Sequence, residues 1–262
     1  MNFDFRQLFP KPREPFFKVW LENDGKPIPP GYLRDLARNR PKGRRVVHWT
    51  SPADTQALLA KYRDQFPGIQ EYFWASNTVP GMRSDMLRYL LIYDQGGLYA
   101  DHDVEWSRKR LPAGYDVILW TEFVHSDETV RKNMETTRAY RGDVPEYNVR
   151  IANYVFLSRA PRSPLVARGL KLVEERLRKN ANAHLSQYGA LYTAGPDAWT
   201  DNVVAGLPDP ATLQPFHKCE TENLEWIDRD GERVLLFGRQ PGRAFARHQT
   251  HGLWRSAHEK KE

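Results

Sequence analysis

Four charged residues near the middle of the sequence have the types and spacing expected at a site for hydroxyl and phosphate groups. Asp85 and Arg88 are three residues apart, whereas Asp101 and Asp103 are two apart. On a helix, a spacing of three places two side chains on one face, so this carboxylate would lie beside the guanidinium. Such a pair can bind hydroxyl and phosphate groups together. On an extended segment, a spacing of two directs both carboxylates to the same side.

The aspartate pair predicts a site for a divalent metal. Carboxylates are hard oxygen ligands and suit Mn²⁺ or Mg²⁺, which keep open positions for the oxygens of a diphosphate. Asp-x-Asp alone is also typical of a solvated acidic loop. The ordered set Asp-x-x-Arg, Gly-Gly, Tyr and Asp-x-Asp within residues 85–103 is far more specific, and it favours a functional site.

The neighbouring residues predict the elements that position these groups. Apolar residues recur at helical period in residues 86–91, with Ser84 as the predicted N-cap and Gly96-Gly97 as the predicted end of the helix. Residues 98–100 then predict a short buried strand. The aspartate pair follows at its carboxyl end, which is where open α/β sheets hold their ligands.

Other segments predict the rest of the sheet and its helices. A helix is predicted after Ser51, which serves as its N-cap, and another after Ser163. Strands are predicted from apolar, β-branched and aromatic composition at residues 17–21, 45–50, 71–74, 116–122 and 151–156. Residues 1–44 are predicted to be a mainly irregular, basic and aromatic lead-in.

Residues 84–104, SDMLRYLLIYDQGGLYADHDV, resemble the Asp-x-Asp sugar-binding region of glycosyltransferase family 32. That family includes outer-chain mannosyltransferases and capsular-polysaccharide transferases, and glucosylating toxins are its distant relatives. The resemblance implies that Asp85 and Arg88 hold the donor sugar and its phosphate. It also implies that Tyr99 and Asp101 line the nucleotide-sugar site and that Asp103 binds the metal. The predicted catalytic residues are Asp85, Arg88, Asp101 and Asp103.

Three weaker resemblances extend the predicted nucleotide-sugar site. Residues 45–50 are predicted to be a buried first strand and resemble the family's opening strand, with His48 among the matching positions. The end of that strand usually contacts the base, and Trp49 offers either a stacking face or a core side chain. Asn153 occupies a position where the family often has asparagine.

The C-terminal segment predicts a third metal ligand. Residues 246–254 resemble a family pattern of His, Gly and Trp, in which His248 takes the position of the histidine. An imidazole is an acceptable ligand for Mn²⁺ beside two carboxylates. His251 is the competing candidate, and two surface histidines without a function are the plainer alternative. Residues 246–262 are accordingly predicted to be a lid or tail over the donor.

The predicted fold is α/β and of the GT-A type, with a mixed, mostly parallel sheet flanked by helices and a Rossmann-like N-terminal half. One domain is predicted over residues 1–262. The predicted activity is transfer of a sugar from a UDP- or GDP-sugar to an acceptor, assisted by Mn²⁺ or Mg²⁺. The acceptor is left open among a glycan, a lipid-linked saccharide, a protein and a nucleic acid. The resemblance implies retention of the anomeric configuration.

Two other classes of function are alternatives. A non-catalytic protein that binds nucleotide sugars or glycans could share the fold, but it would not need a complete metal site. A divalent-metal nuclease could use the aspartate pair and a basic surface. It would leave the Asp-x-x-Arg and Gly-Gly elements unexplained.

The composition predicts a cytoplasmic protein. No stretch approaches the roughly 20 apolar residues of a membrane span, and the first residues do not resemble a signal peptide. The single cysteine, Cys219, excludes an internal disulfide. Peripheral contact with a membrane stays open. The formal net charge of +6 permits an anionic partner, although a solvated basic surface is the commoner explanation.

Overall fold

A mixed sheet of eight strands forms the centre of the computed structural model, in the order β2-β1-β3-β7-β5-β9-β8 with β6 paired to β5. The structure describes residues 14–21, 28, 30, 41, 44–106, 111–124, 149–181, 187–208, 222–239 and 246–248. The sheet strands are β1 (Pro15–Val19), β2 (Arg45–Trp49), β3 (Gly97–Ala100), β5 (Val117–Val124), β6 (Val149–Ile151), β7 (Val155–Ser158), β8 (Leu224–Ile227) and β9 (Arg233–Phe237). A separate ribbon pairs β4 (Val104–Trp106) with β10 (Ala246–His248).

Helices connect the strands. They are α1 (Pro52–Lys61), α2 (Pro67–Phe73), α3 (Pro80–Gln95), α4 (Pro164–Lys179), α5 (Gln187–Thr193) and α6 (Pro196–Ala205). The predicted cap of α1 is confirmed, because the Ser51 hydroxyl accepts a hydrogen bond from the Asp54 amide at 3.1 Å. None of the described helices is long and apolar enough to cross a membrane.

The N-terminal half of the sheet is parallel, since β1 pairs in parallel with both β2 and β3. The other half mixes directions: β7 is antiparallel to β3 and β5, whereas β9 is parallel to β5. Two apolar clusters cover the two faces of the sheet. The larger cluster includes the apolar stripe of α3, where Met86, Leu87, Leu90 and Leu91 are fully buried as the periodicity predicts.

The predictions for residues 71–74 and for Ser84 are wrong. Residues 71–74 belong largely to α2, where the proline at position 67 begins a helix that buries Ile69 and Phe73 four residues apart. Ser84 is not an N-cap, because α3 begins a full turn earlier at Pro80, and the cap is Val79.

The strand at residues 45–50 is not a buried first strand. It forms the partly exposed edge strand β2, and β1 lies between it and β3. The strand predicted at 17–21 is therefore an inner strand, and it breaks up the predicted lead-in.

The Gly-Gly turn brings β3 close to β1. Gly96 is the C-cap of α3, and its amide donates to the Ile92 carbonyl at 2.9 Å. Gly97 follows with a φ of +102°, and a Cβ there would lie 2.5 Å from the Pro15 carbonyl oxygen. A side chain at this position would therefore push apart the strands that carry the candidate site.

Candidate active site

Arg88 joins helix α3 to the end of β3 and to the turn between β6 and β7. The residue is 5% exposed. One guanidinium nitrogen, Nη2, lies 3.2 Å from Asp85 Oδ1 and 3.2 Å from Asp101 Oδ1. The predicted Asp85–Arg88 pair on one helix face is present, and the same guanidinium also contacts the first aspartate of the Asp-x-Asp motif.

The remaining nitrogens of Arg88 contact the backbone. Nε donates to the Ser84 carbonyl at 3.3 Å, and Nη1 donates to the Asn153 carbonyl at 3.1 Å. The guanidinium carbon lies 4.8 Å from the centre of the Tyr99 ring. Burial acts to lower the pKa of Arg88, but Asp101, Tyr99 and Asp85 outweigh it and raise that pKa above its ordinary value. Arg88 is thus a permanent cation at the centre of the cluster.

Asp85 is held by a second partner in the turn between β6 and β7. The Asn153 side-chain amide donates to Asp85 Oδ1 at 2.8 Å and to the Tyr89 hydroxyl at 3.1 Å. Burial raises the pKa of Asp85 to about 7, although Arg88 and Asn153 act in the opposite direction. The predicted strand over 151–156 is split into β6 and β7, and the turn between them carries Asn153.

Asp101 begins a turn rather than continuing an extended segment. Its carbonyl accepts from the Val104 amide at 3.1 Å, and the two residues between them form the bend. The extended geometry predicted for the aspartate pair is therefore wrong. We call residues 101–104 the Asp-x-Asp turn. The Asp101 amide donates to the Tyr154 carbonyl at 2.8 Å, and its Oδ1 accepts from the Tyr99 hydroxyl at 2.5 Å.

Lys18 is a site residue that the sequence did not reveal. It lies on β1, is 1% exposed, and donates from Nζ to the Asp101 carbonyl at 2.5 Å. Burial lowers the pKa of Lys18 to about 7, although Asp101 and Asp103 act to raise it. The signal was a single lysine inside the apolar run Phe16-Phe17-Lys18-Val19-Trp20, a position where a strand buried on both faces would have an apolar residue.

Aromatic rings surround the middle residue of the motif, His102. Its ring centre lies 5.8 Å from that of His48 and 5.5 Å from that of Trp20. Burial lowers the pKa of His102 to about 3, so the imidazole is neutral near neutral pH. The structure thus brings His48 to the site. Trp49 instead donates its indole N–H to the Thr55 hydroxyl at 2.9 Å and packs against the larger apolar cluster, so its contact with a base stays a prediction.

The predicted metal ligands are brought together in part. The Asp101 side chain is 28% exposed, and Asp103 lies two residues later in the same turn. The backbone of His248 pairs with Val104 in the β4–β10 ribbon, which brings the C-terminal segment next to the turn. The side chain of His248, and all of His251, lie outside the described residues. Among the residues that are described, no group of three or more His, Cys, Asp or Glu side chains could hold a metal ion. The two carboxylates fit Mn²⁺ or Mg²⁺ by donor type.

Comparison with known proteins agrees with this geometry. Residues 31–124 match the model of the glycosyltransferase sugar-binding region containing the DXD motif. That range includes α3, β3 and the Asp-x-Asp turn, so the predicted resemblance is confirmed. Curated protein sequences gave no match.

A solved structure described as PaToxG glycosyltransferase is similar in fold, with a TM-score of 0.50 and 16% sequence identity. The similarity covers 79% of this chain and 74% of that chain. The predicted GT-A-type α/β fold is confirmed by this similarity.

Proposed function

We propose that this chain, a GT-A-like glycosyltransferase with its DXD sugar-binding region at residues 31–124, transfers a sugar from a nucleoside-diphosphate donor with the help of Mn²⁺ or Mg²⁺. The observation that carries the proposal is the pairing of Arg88 with both Asp85 and Asp101. This pairing links the helix, the strand end and the Asp-x-Asp turn in one cluster.

The cluster supports a division of roles among its carboxylates. Asp85 is 14% exposed and is oriented by Asn153 and Arg88, so it is suited to accept hydrogen bonds from sugar hydroxyls. The guanidinium of Arg88 already contacts two carboxylates and two carbonyls. We therefore propose that Arg88 acts mainly by orienting Asp85 and Asp101, and that any phosphate contact is secondary.

Asp101 and Asp103 would hold the metal, with His248 as the proposed third ligand. The bound metal would neutralise the charge that develops on the departing diphosphate. Side chains of this chain would assist the metal by holding Asp101, one of its proposed ligands, in place. The Tyr99 hydroxyl and Arg88 both contact Asp101 Oδ1, so that carboxylate needs little reorganisation when it binds a cation.

The proposed reaction retains the anomeric configuration. The bond between the anomeric carbon and the diphosphate oxygen breaks, and a bond to the acceptor oxygen forms on the same face of the sugar. The acceptor proton passes to the departing diphosphate. This proposal comes from the family resemblance, and the anomeric proton signals of the first product, followed by NMR, test it.

We also propose that residues 1–262 form one domain and that the protein is cytoplasmic. A single eight-stranded sheet that includes both β1 and β9 supports the proposal of one domain. The single cysteine supports the cytoplasmic location, because reducing compartments disfavour disulfides.

The decisive experiment combines binding and turnover. Thermal unfolding would be followed with a panel of UDP- and GDP-sugars, with Mn²⁺ and with EDTA, because a tightly bound donor raises the melting temperature. Release of UDP or GDP would then be measured with the donor that binds. We expect Mn²⁺-dependent stabilisation followed by turnover. Stabilisation without turnover on any acceptor, water included, would indicate a protein that only binds donors.

The matched control for this experiment is Asp54→Asn. Asp54 is an exposed carboxylate in the first turn of α1 and lies outside the proposed site. Loss of turnover in Asp103→Asn with normal turnover in Asp54→Asn would locate the metal requirement at the Asp-x-Asp turn. Equal turnover in the two variants would contradict the proposed metal site.

A further inference from the structure

The carbonyl group that begins the Asp-x-Asp turn is held from two directions. From within the turn, the Val104 amide donates to the Asp101 oxygen at 3.1 Å. From the neighbouring strand β1, the Lys18 amino group donates to the same oxygen at 2.5 Å. The turn is therefore attached to the sheet by a side chain from a distant part of the sequence.

Burial of an amino group at this position needs a reason, because an apolar side chain would be more stable there. Lys18 faces the smaller apolar cluster, beside Phe16, whose ring centre lies 4.9 Å from Nζ. Removing a lysine nitrogen from water carries a large free-energy penalty unless the group is well bonded. Among the described residues, the Asp101 carbonyl is the acceptor of its hydrogen bond. The position of the turn is thus the structural feature that depends on the lysine nitrogen.

We propose that Lys18 is a positioning residue for the metal site, which holds the Asp-x-Asp turn in the shape that lets Asp101 and Asp103 bind one cation. This inference rests on the proposed function, since it takes these two aspartates as the ligands. The Asp101 carboxylate is already oriented by Tyr99 and Arg88. The distance between Asp101 and Asp103 depends on the backbone of the turn, and the Lys18 hydrogen bond acts on that backbone.

A purely electrostatic role makes the opposite prediction. A positive charge beside a cation site weakens binding of the cation, so removing that charge would increase metal affinity. Loss of a residue that orients metal ligands decreases metal affinity, typically by about 10- to 100-fold. The direction of the change therefore distinguishes a positioning role from a charge effect.

The experiment measures the Mn²⁺ dissociation constant of the full chain by isothermal titration calorimetry, without donor. Lys18→Met keeps an unbranched side chain as far as the ε position and removes the donor. Lys18→Gln keeps an N–H donor on a neutral side chain that ends one bond short. We expect Lys18→Met to weaken Mn²⁺ binding by about tenfold or more and Lys18→Gln to lie between Lys18→Met and the wild type.

Each outcome is informative. Affinity equal to or higher than that of the wild type in either variant would overturn the inference. An equal loss of Mn²⁺ affinity in Lys18→Met and Lys18→Gln would also contradict the inference. It would indicate a general packing defect that does not depend on the N–H donor. If Lys18→Met does not fold, the affinity of Lys18→Gln relative to the wild type decides between the two roles. A wild-type chain that binds no Mn²⁺, either alone or with a nucleoside diphosphate, would refute the proposed metal site itself, and with it this role for Lys18.

Discussion

Replacing Arg88 with lysine tests whether the shape of the guanidinium matters beyond its charge. Three nitrogens of Arg88 contact four acceptors: the carboxylates of Asp85 and Asp101 and the carbonyls of Ser84 and Asn153. A lysine side chain keeps the charge but has one nitrogen, which cannot reach all four. Because Arg88 is 5% exposed, water does not replace the lost contacts fully.

The expected magnitude follows from those contacts. A buried hydrogen bond that involves a charged group contributes about 1.5–3 kcal/mol. The contact with Asn153 at 3.1 Å should be lost in full, whereas the contact with Ser84 is longer, at 3.3 Å, and contributes less. We expect the free energy of unfolding of Arg88→Lys to fall by about 2–4 kcal/mol. Turnover should fall on the order of 10²-fold or more, because Asp85 and Asp101 are no longer oriented together.

The assay pairs urea denaturation with donor turnover, and the same helix offers a control. Arg83 donates from Nε to the Phe73 carbonyl at 3.0 Å and stacks on Trp74, away from the site. Arg83→Lys should lose stability and keep turnover at saturating donor. Equal turnover in Arg88→Lys and Arg83→Lys would refute the reasoning. It would show that Arg88 is only a structural partner of Asp85.

Three further predictions concern the metal, the C-terminal segment and pH. Asp103→Ala should abolish Mn²⁺-dependent donor binding, measured by thermal shift, while far-ultraviolet circular dichroism stays unchanged; normal binding would exclude Asp103 as a ligand. Truncation before Ala246 should leave a folded chain with weak donor binding and no turnover, and His248→Ala should reproduce most of that defect while His251→Ala is mild; the reverse ranking would make His251 the ligand. Burial raises the pKa of Asp85 to about 7 in the folded chain, above about 4 in the unfolded chain, so its contribution to stability is present below pH 4 and is lost as the pH rises to 7. The unfolding free energy of the wild type should therefore fall more between pH 4 and 7 than that of Asp85→Asn, and identical slopes in urea denaturation would show that Asp85 titrates normally.

The sequence was sufficient where local spacing determines the geometry. Asp85 and Arg88 pair because a spacing of three on a helix brings side chains together, and no tertiary information is needed. The end of α3 at Gly96-Gly97 could be predicted as well, because it too depends only on the local sequence. The start of α3 was predicted wrongly. Ser84 is a plausible N-cap by residue type, but the proline at position 80 begins the helix earlier.

The sequence was insufficient where the site depends on which strands are neighbours. The order of strands places β1 between β2 and β3, and Lys18 reaches the Asp-x-Asp turn only because of that order. Residues 71–74 show a related limit. Aromatic composition there is typical of a strand, but packing of Ile69 and Phe73 into the core favours a helix.

The β4–β10 ribbon should form late in folding. His248 and Val104 pair although they are far apart in the chain, so the ribbon closes a long loop, and such contacts form slowly. A two-stranded ribbon is also only marginally stable by itself. We expect the amides of β4 to exchange with solvent by local opening, well before those of β3 in the main sheet, and donor with metal to slow that exchange selectively. During synthesis, β4 would emerge from the ribosome long before its pairing partner, so the growing chain would carry an unpaired β4 until residues 246–248 emerge.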